Sequence, residues 1–199
     1  MTVPERVYHA TSVQGLAELR PSESTHGKWV YAVGDPALAA CFLATTGGDL
    51  TCAIGRNRAS GLPYLCERFS GAFEHRYCGA SGAIYTLDGD PFLAGRTPWE
   101  EEFVCDRAVR LLAEERVDDA AARLLGHAAA GELLLVRYPA RIDGIPEDDA
   151  DLIERAVVWS GRFGEGVLDS FASYHPALMP RIQEELLARE RQRGAEAGR

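Results

Sequence analysis

The spacing of apolar and polar residues changes once along the chain, near residue 110. Before that point, short apolar runs alternate with glycine and proline, which is typical of strands joined by turns. From about residue 111 onward, helical patterning dominates, with apolar residues recurring every three or four positions. This division predicts an α+β protein, with the strands in the first part of the chain and most of the helices in the second.

Strands are predicted where β-branched and aromatic residues are concentrated between turn residues. They cover residues 6–10, 28–32, 50–54, 83–87 and 102–105, and a sixth candidate covers 108–112. Helices are predicted over residues 13–19, 37–44, 118–125, 147–163 and 176–193. Asp35 and Pro36 mark the start of the second helix, because Asp is a favoured N-cap and Pro fits a first turn. The apolar run 132–138 fits either type of element.

The C-terminal helices are predicted to pack against the strands within one domain. Apolar residues at helical spacing in 147–163 form a stripe that needs a partner surface. No Ser/Gly-rich linker separates these helices from the rest of the chain. We therefore expect a single domain over residues 1–199, with a core at about 5–140 and a helical C-terminal segment at about 147–193.

Charge and composition narrow the class of protein. The 199 residues include 30 Asp and Glu against 21 Lys and Arg, which gives a net charge of −9. A non-specific nucleic-acid binder normally carries the opposite excess, because it must neutralise phosphates. Lys28 is the only lysine, so arginine must supply nearly all of any positive potential.

Cysteine spacing and hydropathy exclude further classes. The five cysteines contain no C-x-x-C pair, so a zinc site is not expected. No run approaches the roughly 20 apolar residues of a membrane span, and the N-terminal residues lack the apolar core of a signal peptide. The expectation is a cytoplasmic protein with reduced thiols and no membrane partner.

Candidate chemistry is concentrated near the ends of three predicted strands. His9 and Thr11 lie two residues apart, so on a strand their side chains point the same way. Tyr31 closes the next strand and Phe42 follows 11 residues later, and two aromatic rings can hold a flat ring between their faces. A run of three glutamates ends at Glu102, where a carboxylate beside a ribose can stabilise positive charge that grows on the sugar.

These residues form a pattern that resembles a known superfamily. The run Tyr8-His9-Ala10-Thr11, then residues 27–32, and then Asp35 and Phe42 look like the NAD-binding core of ADP-ribosyltransferases of the His-Tyr-Glu class, which includes diphtheria-type toxins and poly(ADP-ribose) polymerases. The resemblance covers residues 7–44 most closely and 83–112 less closely, and 113–199 add nothing to it. The spacing from Tyr31 to Phe42 is similar to that of the two tyrosines that enclose nicotinamide in diphtheria-type toxins.

The resemblance departs from the family pattern at three places. Phe42 stands where those toxins have a second tyrosine, which keeps the ring face and loses a hydroxyl. Ala10 stands where the family often has glycine. The final glutamate of the family falls within Glu100-Glu101-Glu102, and Glu102, at the start of the strand, fits its place best. The pair Glu100 and Glu102 is also similar to a Glu-x-Glu motif that helps select the acceptor in arginine-modifying transferases, which are another class.

The resemblance implies a fold and a role for each residue. The fold would be a split β-sandwich of two small, mostly antiparallel sheets with NAD in the cleft between them. His9 would form a hydrogen bond with the ribose on the adenosine side. The backbone of Ala10 would hold the nicotinamide carboxamide, and Thr11 would add a contact through its hydroxyl group. Tyr31 and Phe42 would stack on the nicotinamide. The carboxylate of Glu102 would bind the 2′-hydroxyl of the nicotinamide ribose and stabilise an oxocarbenium-like transition state, with no metal.

The predicted function is therefore that of an NAD-dependent mono-ADP-ribosyltransferase with His9, Tyr31 and Glu102 as its triad. Its acceptor is undetermined: a protein side chain, a small molecule or, less in keeping with the acidic charge, a nucleic acid. Three alternatives stay open, namely an NAD glycohydrolase on the same fold, an interaction module without activity, and, ranked low, a relative of tRNA 2′-phosphotransferases. Arg56 and Arg58 are further candidates as pyrophosphate ligands, although a solvated pair is the ordinary role for such residues.

Overall fold

The computed structural model describes residues 2–24, 26–44 and 48–197. These residues form an α+β structure with two mostly antiparallel sheets and a helical C-terminal segment, as the sequence predicts. No helix among them is both long enough and apolar enough to cross a lipid bilayer.

Eleven strands and seven α-helices are found in the described residues. The strands are β1 (Arg6–Thr11), β2 (Glu18–Leu19), β3 (Ser22–Ser24), β4 (Gly27–Val33), β5 (Cys52–Arg56), β6 (Pro63–Glu67), β7 (Gly82–Asp88), β8 (Leu93–Ala94), β9 (Glu102–Cys105), β10 (Val109–Val117) and β11 (Leu134–Val136). The helices are α1 (Pro36–Ala40), α2 (Gly48–Thr51), α3 (Ala72–Tyr77), α4 (Ala120–Ala129), α5 (Ala150–Phe163), α6 (Val167–Tyr174) and α7 (Met179–Ala197), and a 3-10 turn (Pro176–Leu178) precedes α7.

The larger sheet has eight strands, whereas the sequence led us to expect two small sheets. Its order is β2-β10-β7-β1-β4-β9-β8, with β3 paired to β4. The smaller sheet has the order β11-β6-β5, and its β11–β6 pair is parallel. The two sheets and helices α1, α3 and α4 share one apolar core, to which Leu38, Leu65, Phe73, Ile84 and Leu124 contribute fully buried or nearly fully buried side chains.

The larger sheet opens between two of its central strands. β1 pairs with β7 along its whole length, from Arg6 opposite Asp88 to Thr11 opposite Ala83. Its other neighbour, β4, is in register only where Tyr8 lies opposite Val33. The chain past Tyr8 therefore leaves the ladder with β4, and this opening is where the candidate site forms.

One predicted helix, over residues 13–19, is wrong. The segment forms an irregular loop and the short strand β2. Its backbone groups are used by distant side chains: Gly15 donates its N–H to Glu114 Oε1 at 3.0 Å, and Leu16 donates to the Tyr85 hydroxyl at 3.1 Å. Gly15 also has a φ of +72°, which lies outside the helical range. Tertiary hydrogen bonds therefore replace those of a local helix.

Other boundaries shift and some elements had no prediction. The strand expected at 50–54 begins at Cys52, because residues 50 and 51 close the short helix α2. The helix expected at 37–44 spans Pro36–Ala40 and continues as turns through residue 42, and the Thr45–Gly47 part of its predicted end lies outside the described residues. The run 132–138 contains β11. Strand β6 and helices α3 and α6 were not predicted, because each is short and is flanked by Gly or Pro.

The C-terminal helices are attached to the smaller sheet by a buried arginine. The Arg68 side chain, 1% exposed, donates to Asp151 at 2.7 Å and to Asp149 at 2.8 Å. Asp151 lies in the first turn of α5, and Asp149 is the residue that precedes this helix. Apolar contacts among Leu50, Leu152 and Phe171 complete the attachment. The C-terminal helices therefore pack against the end of the smaller sheet.

Arg68→Gln is expected to lower the free energy of unfolding by about 2 kcal/mol. Removing one partner of a buried ion pair costs about 3–5 kcal/mol, and we expect less because Asp149 and Asp151 remain 17% and 30% exposed. Urea denaturation measures the change. As a control, Arg189→Gln removes an exposed pair with Glu185 on α7 and should cost at most about 0.5 kcal/mol. Equal losses in the two variants would contradict the role of Arg68.

Candidate active site

A small cavity lies where β1 and β4 separate. Its volume is about 110 Å³, and nine residues line it: Tyr8, His9, Ala10, Tyr31, Ala32, Val33, Ala39, Phe42 and Glu102. Five of the six residues that the sequence singled out are in this set. The residues come from β1, β4, β9, α1 and the turn after α1, so parts of the chain almost 100 positions apart meet here.

His9 is held in one orientation by the backbone of the neighbouring strand. Its Nδ1 lies 2.7 Å from the carbonyl oxygen of Tyr31. A carbonyl oxygen only accepts, so Nδ1 carries the hydrogen and donates it. Burial lowers the pKa of His9, more than the bond to Tyr31 raises it. The imidazole is therefore neutral at pH 7, and its Nε2 is left as an acceptor for a hydroxyl group of a ligand.

Tyr31 places a fixed aromatic ring in the cavity. Its hydroxyl donates to the carbonyl oxygen of Gly27 at 3.1 Å and shares a second hydrogen bond with Ser24 Oγ. Gly27 has a φ of +122°, and a Cβ added there would lie 2.5 Å from the indole nitrogen of Trp29. Only glycine fits at this position. The Gly27 carbonyl then holds the Tyr31 ring by accepting from its hydroxyl.

Phe42 lies on the turn that follows α1 and is 42% exposed. Asp35 caps this helix by accepting from the N–H of Leu38 at 2.7 Å, as the sequence predicts. The Phe42 ring contacts Trp99 edge to face, with centroids 5.7 Å apart and planes at 62°. Trp99 therefore supports Phe42 from outside the cavity. We assigned no role to Trp99 from the sequence, where it was only the residue that precedes the glutamate run.

The structure separates the three consecutive glutamates. Glu102 is the first residue of β9, lies opposite Val33 of β4 and lines the cavity. Glu101 is buried and accepts from Arg56 Nε at 2.8 Å. Glu100 is exposed. Of the three side chains, only that of Glu102 reaches the cavity, as the sequence pattern favoured.

The Glu102 carboxyl group is half-buried beside the aromatic rings. Burial raises its pKa, and Thr97 and the charge of the nearby His26 oppose this effect only in part. Within the described part of the chain, neither an arginine nor a lysine forms an ion pair with Glu102. When it is ionised, this carboxylate is therefore available to a positive charge on a ligand.

Two larger cavities lie near the small one. The first has a volume of about 590 Å³ and shares His9 and Tyr31 with it, and residues 16–20, Ser22, Trp29 and Val30 complete its lining. The second is an open cleft of about 990 Å³ on the far side of Trp99, lined among others by residues 54–59, Tyr64, Glu100, Glu101 and Asp143. The small cavity therefore continues into the 590 Å³ cavity at His9 and Tyr31, whereas it shares no lining residue with the 990 Å³ cleft.

The remaining candidates lie elsewhere or have structural partners. Thr11 lines none of these three cavities, and its Oγ1 accepts from the N–H of Val13 at 3.3 Å. Arg56 is held in ion pairs with Asp35 and Glu101 and is not free for a pyrophosphate. Arg58 is exposed at the rim of the 990 Å³ cleft.

Comparison with known proteins leaves the site to be interpreted from its own geometry. No family model matches the chain, and neither a curated protein nor a solved structure is significantly similar to it. Within the described ranges, no three His, Cys, Asp or Glu side chains are grouped so that they could hold a metal ion.

Proposed function

We propose that the protein is an NAD-dependent mono-ADP-ribosyltransferase. The observation that carries this proposal is that His9, Ala10, Tyr31, Phe42 and Glu102 line one cavity of about 110 Å³. An apolar cavity of about 150 Å³ holds benzene in another protein, so this smaller cavity holds the face of a single flat ring, and the groups attached to that ring must extend into the 590 Å³ cavity that shares His9 and Tyr31. The residues also supply what nicotinamide mononucleotide requires: two aromatic faces, backbone amide groups and a carboxylate.

In the proposed reaction, the bond between the nicotinamide nitrogen and ribose C1′ breaks. The electron pair goes to the nitrogen, so the cationic ring leaves as neutral nicotinamide and no general acid is needed. Positive charge moves to the ribose, where the Glu102 carboxylate stabilises it and accepts a hydrogen bond from the 2′-hydroxyl. An acceptor nucleophile then bonds to C1′ and releases a proton. Tyr31, Phe42 and Ala10 hold the leaving ring.

The 590 Å³ cavity is the proposed place of the adenosine diphosphate part of NAD. It shares His9 with the ring cavity, so Nε2 of His9 can accept from a hydroxyl of the adenosine ribose. Of the described residues that line it, Arg20 alone is cationic at pH 7. Arg20 is 80% exposed and pairs with Glu18 at 2.7 Å. Because no other described residue of this lining is cationic, we assign the diphosphate contact to Arg20.

Transfer is favoured over hydrolysis by the 990 Å³ cleft. The cleft is lined by Trp99, which contacts Phe42 of the ring cavity, and by Glu101, which precedes Glu102, and it has space for an acceptor larger than water. An NAD glycohydrolase would use the same ring cavity and needs no such cleft. The acceptor itself is not identified by the cleft, whose lining carries both signs of charge.

Incubation with NAD labelled in its adenylate half tests the proposal. A transferase releases nicotinamide and labels an added protein, small molecule or nucleic acid. Free ADP-ribose without a labelled acceptor would instead identify a glycohydrolase. No nicotinamide release, together with no heat of binding at millimolar NAD, would reject both enzymes and leave an interaction module.

The pH dependence of catalysis should report on Glu102. This carboxylate must be ionised to stabilise a cation, so kcat/KM for nicotinamide release should fall as the pH falls through its pKa. Because burial raises that pKa, the fall should begin at a higher pH than for an exposed glutamate. His26→Asn removes a positive charge that lowers this pKa, so it should move the acid limb to still higher pH. A limb that moves to lower pH, or does not move at low salt, would contradict the assignment.

A further inference from the structure

One guanidinium group joins three segments around the candidate site. Arg56, the last residue of β5, donates from Nε to Glu101 Oε2 at 2.8 Å and from one terminal nitrogen to Asp35 Oδ2 at 2.6 Å. Its other terminal nitrogen donates to the carbonyl oxygen of Gly61 at 2.9 Å. All three nitrogens of the group are therefore used, and each contacts a different segment of the chain.

The two carboxylates that Arg56 binds lead directly to two sides of the ring cavity. Asp35 is the N-cap of α1, and Phe42 lies on the turn that ends this helix. Glu101 immediately precedes Glu102, so fixing Glu101 also fixes where β9 begins. The aromatic wall and the proposed catalytic carboxylate are thus attached to the same side chain, although Arg56 itself does not line the ring cavity.

The contacts join charged groups and are partly shielded from water. Hydrogen bonds between an arginine and carboxylates are about twice as strong as neutral ones. The side chains of Arg56, Asp35 and Glu101 are 27%, 28% and 10% exposed. Burial opposes the charge on Arg56, but the bonds to its two partners outweigh this effect and raise the pKa of the guanidinium.

The same group also determines the charge next to the cavity. Glu102 lines the cavity, and Asp35 and Glu101 lie behind it as partners of Arg56, beside a site proposed to bind NAD, whose diphosphate carries two negative charges. Arg56 forms ion pairs with Asp35 and Glu101 and so offsets one of their two negative charges, and Glu102 has no arginine or lysine partner among the described residues. The single carboxylate left for the substrate is therefore the one that faces the cavity.

We propose that Arg56 is the positioning residue of this site and sets the distance between the Phe42 ring and the Glu102 carboxylate by bridging Asp35 and Glu101. The inference rests on the proposed NAD cleavage, since it describes how the residues of that site are held. A lysine keeps the charge but lacks the planar fork, so it cannot bind both carboxylates with the same geometry. A displacement of about 1 Å in a catalytic group can cost about 100-fold in rate.

Arg56→Lys is therefore expected to lower kcat for nicotinamide release about 30-fold while KM for NAD changes less than about threefold. The loss in kcat is expected to stay below about 100-fold because a lysine can still bind one of the two carboxylates. The split between kcat and KM separates positioning from a loss of folding, which would lower the active fraction and the unfolding temperature together. Circular dichroism melting checks the fold of each variant.

A matched control and a double variant complete the test. Arg123→Lys alters an arginine of similar exposure, which pairs with Glu115 away from the site, and should leave kcat unchanged. Glu101→Ala should lower kcat to a similar extent as Arg56→Lys, and the double variant should be no slower than the worse single one. An Arg56→Lys protein with unchanged kcat, or additive losses in the double variant, would overturn the inference while NAD cleavage by the unmodified protein stands. Absence of that cleavage overturns both.

Discussion

Replacement of Glu102 by glutamine is expected to lower kcat for nicotinamide release about 10³-fold and to leave the Kd for NAD within about threefold. Removing one preorganised group that stabilises transition-state charge costs about 10²–10³-fold in other enzymes. The upper end is expected here because no arginine or lysine among the described residues pairs with this carboxylate. Glutamine keeps the shape and one acceptor oxygen, so the ribose hydroxyl still has a partner in the ground state. Single-turnover kinetics and calorimetry with NAD measure the two quantities separately.

The neighbouring glutamate provides the control for Glu102. Glu100 is exposed and does not line the ring cavity. Glu100→Gln removes the same charge two residues away and should retain at least half of the nicotinamide release. If the two variants lose rate equally, the effect belongs to the charge of the glutamate run and not to the position of Glu102. A Glu102→Gln protein with unchanged kcat would reject the proposed function.

The sequence predicts most reliably the strands that place the site. β1, β4 and β9 are rich in β-branched and aromatic residues, and their bounds differ from the predicted ones by at most two residues. The identity of the cavity glutamate was also predictable in part. Glu102 was favoured because it begins the predicted strand, and β9 does begin there. The ion pair of Glu101 with Arg56, which holds Glu101 outside the cavity, was not predictable.

The features that depend on distant contacts were not predictable from local pattern. The larger sheet reaches eight strands because β2, β3 and β8 pair at its margins, and each of these has only two or three residues. Such short strands have no hydrophobic period of their own and form only when a neighbour offers a ladder. Arg56 likewise lies 21 and 45 positions from its two carboxylate partners. Nothing in the local sequence distinguishes it from the solvated Arg58.

Tyr31→Ala is expected to weaken NAD binding about 100-fold and to lower kcat/KM by at least as much. Burying an aromatic side chain contributes about 1.5–3 kcal/mol, and a stacked pair adds about 0.5–1.5 kcal/mol, so losing the ring costs about 3 kcal/mol in total. This corresponds to roughly two orders of magnitude in Kd. Isothermal titration calorimetry with NAD measures the loss directly.

Tyr31→Phe separates the ring from its hydroxyl. The phenyl ring still lines the cavity, but the bonds to Gly27 and Ser24 are gone, so we expect a loss of only about three- to tenfold. His9 keeps its partner in both variants, because it binds the backbone oxygen of residue 31 and not the side chain. A Tyr31→Ala protein therefore loses the stacking face without losing the orientation of His9. Equal NAD affinity in Tyr31→Ala and the unmodified protein would show that the ring cavity is not the nicotinamide site, even if NAD binds elsewhere on the protein.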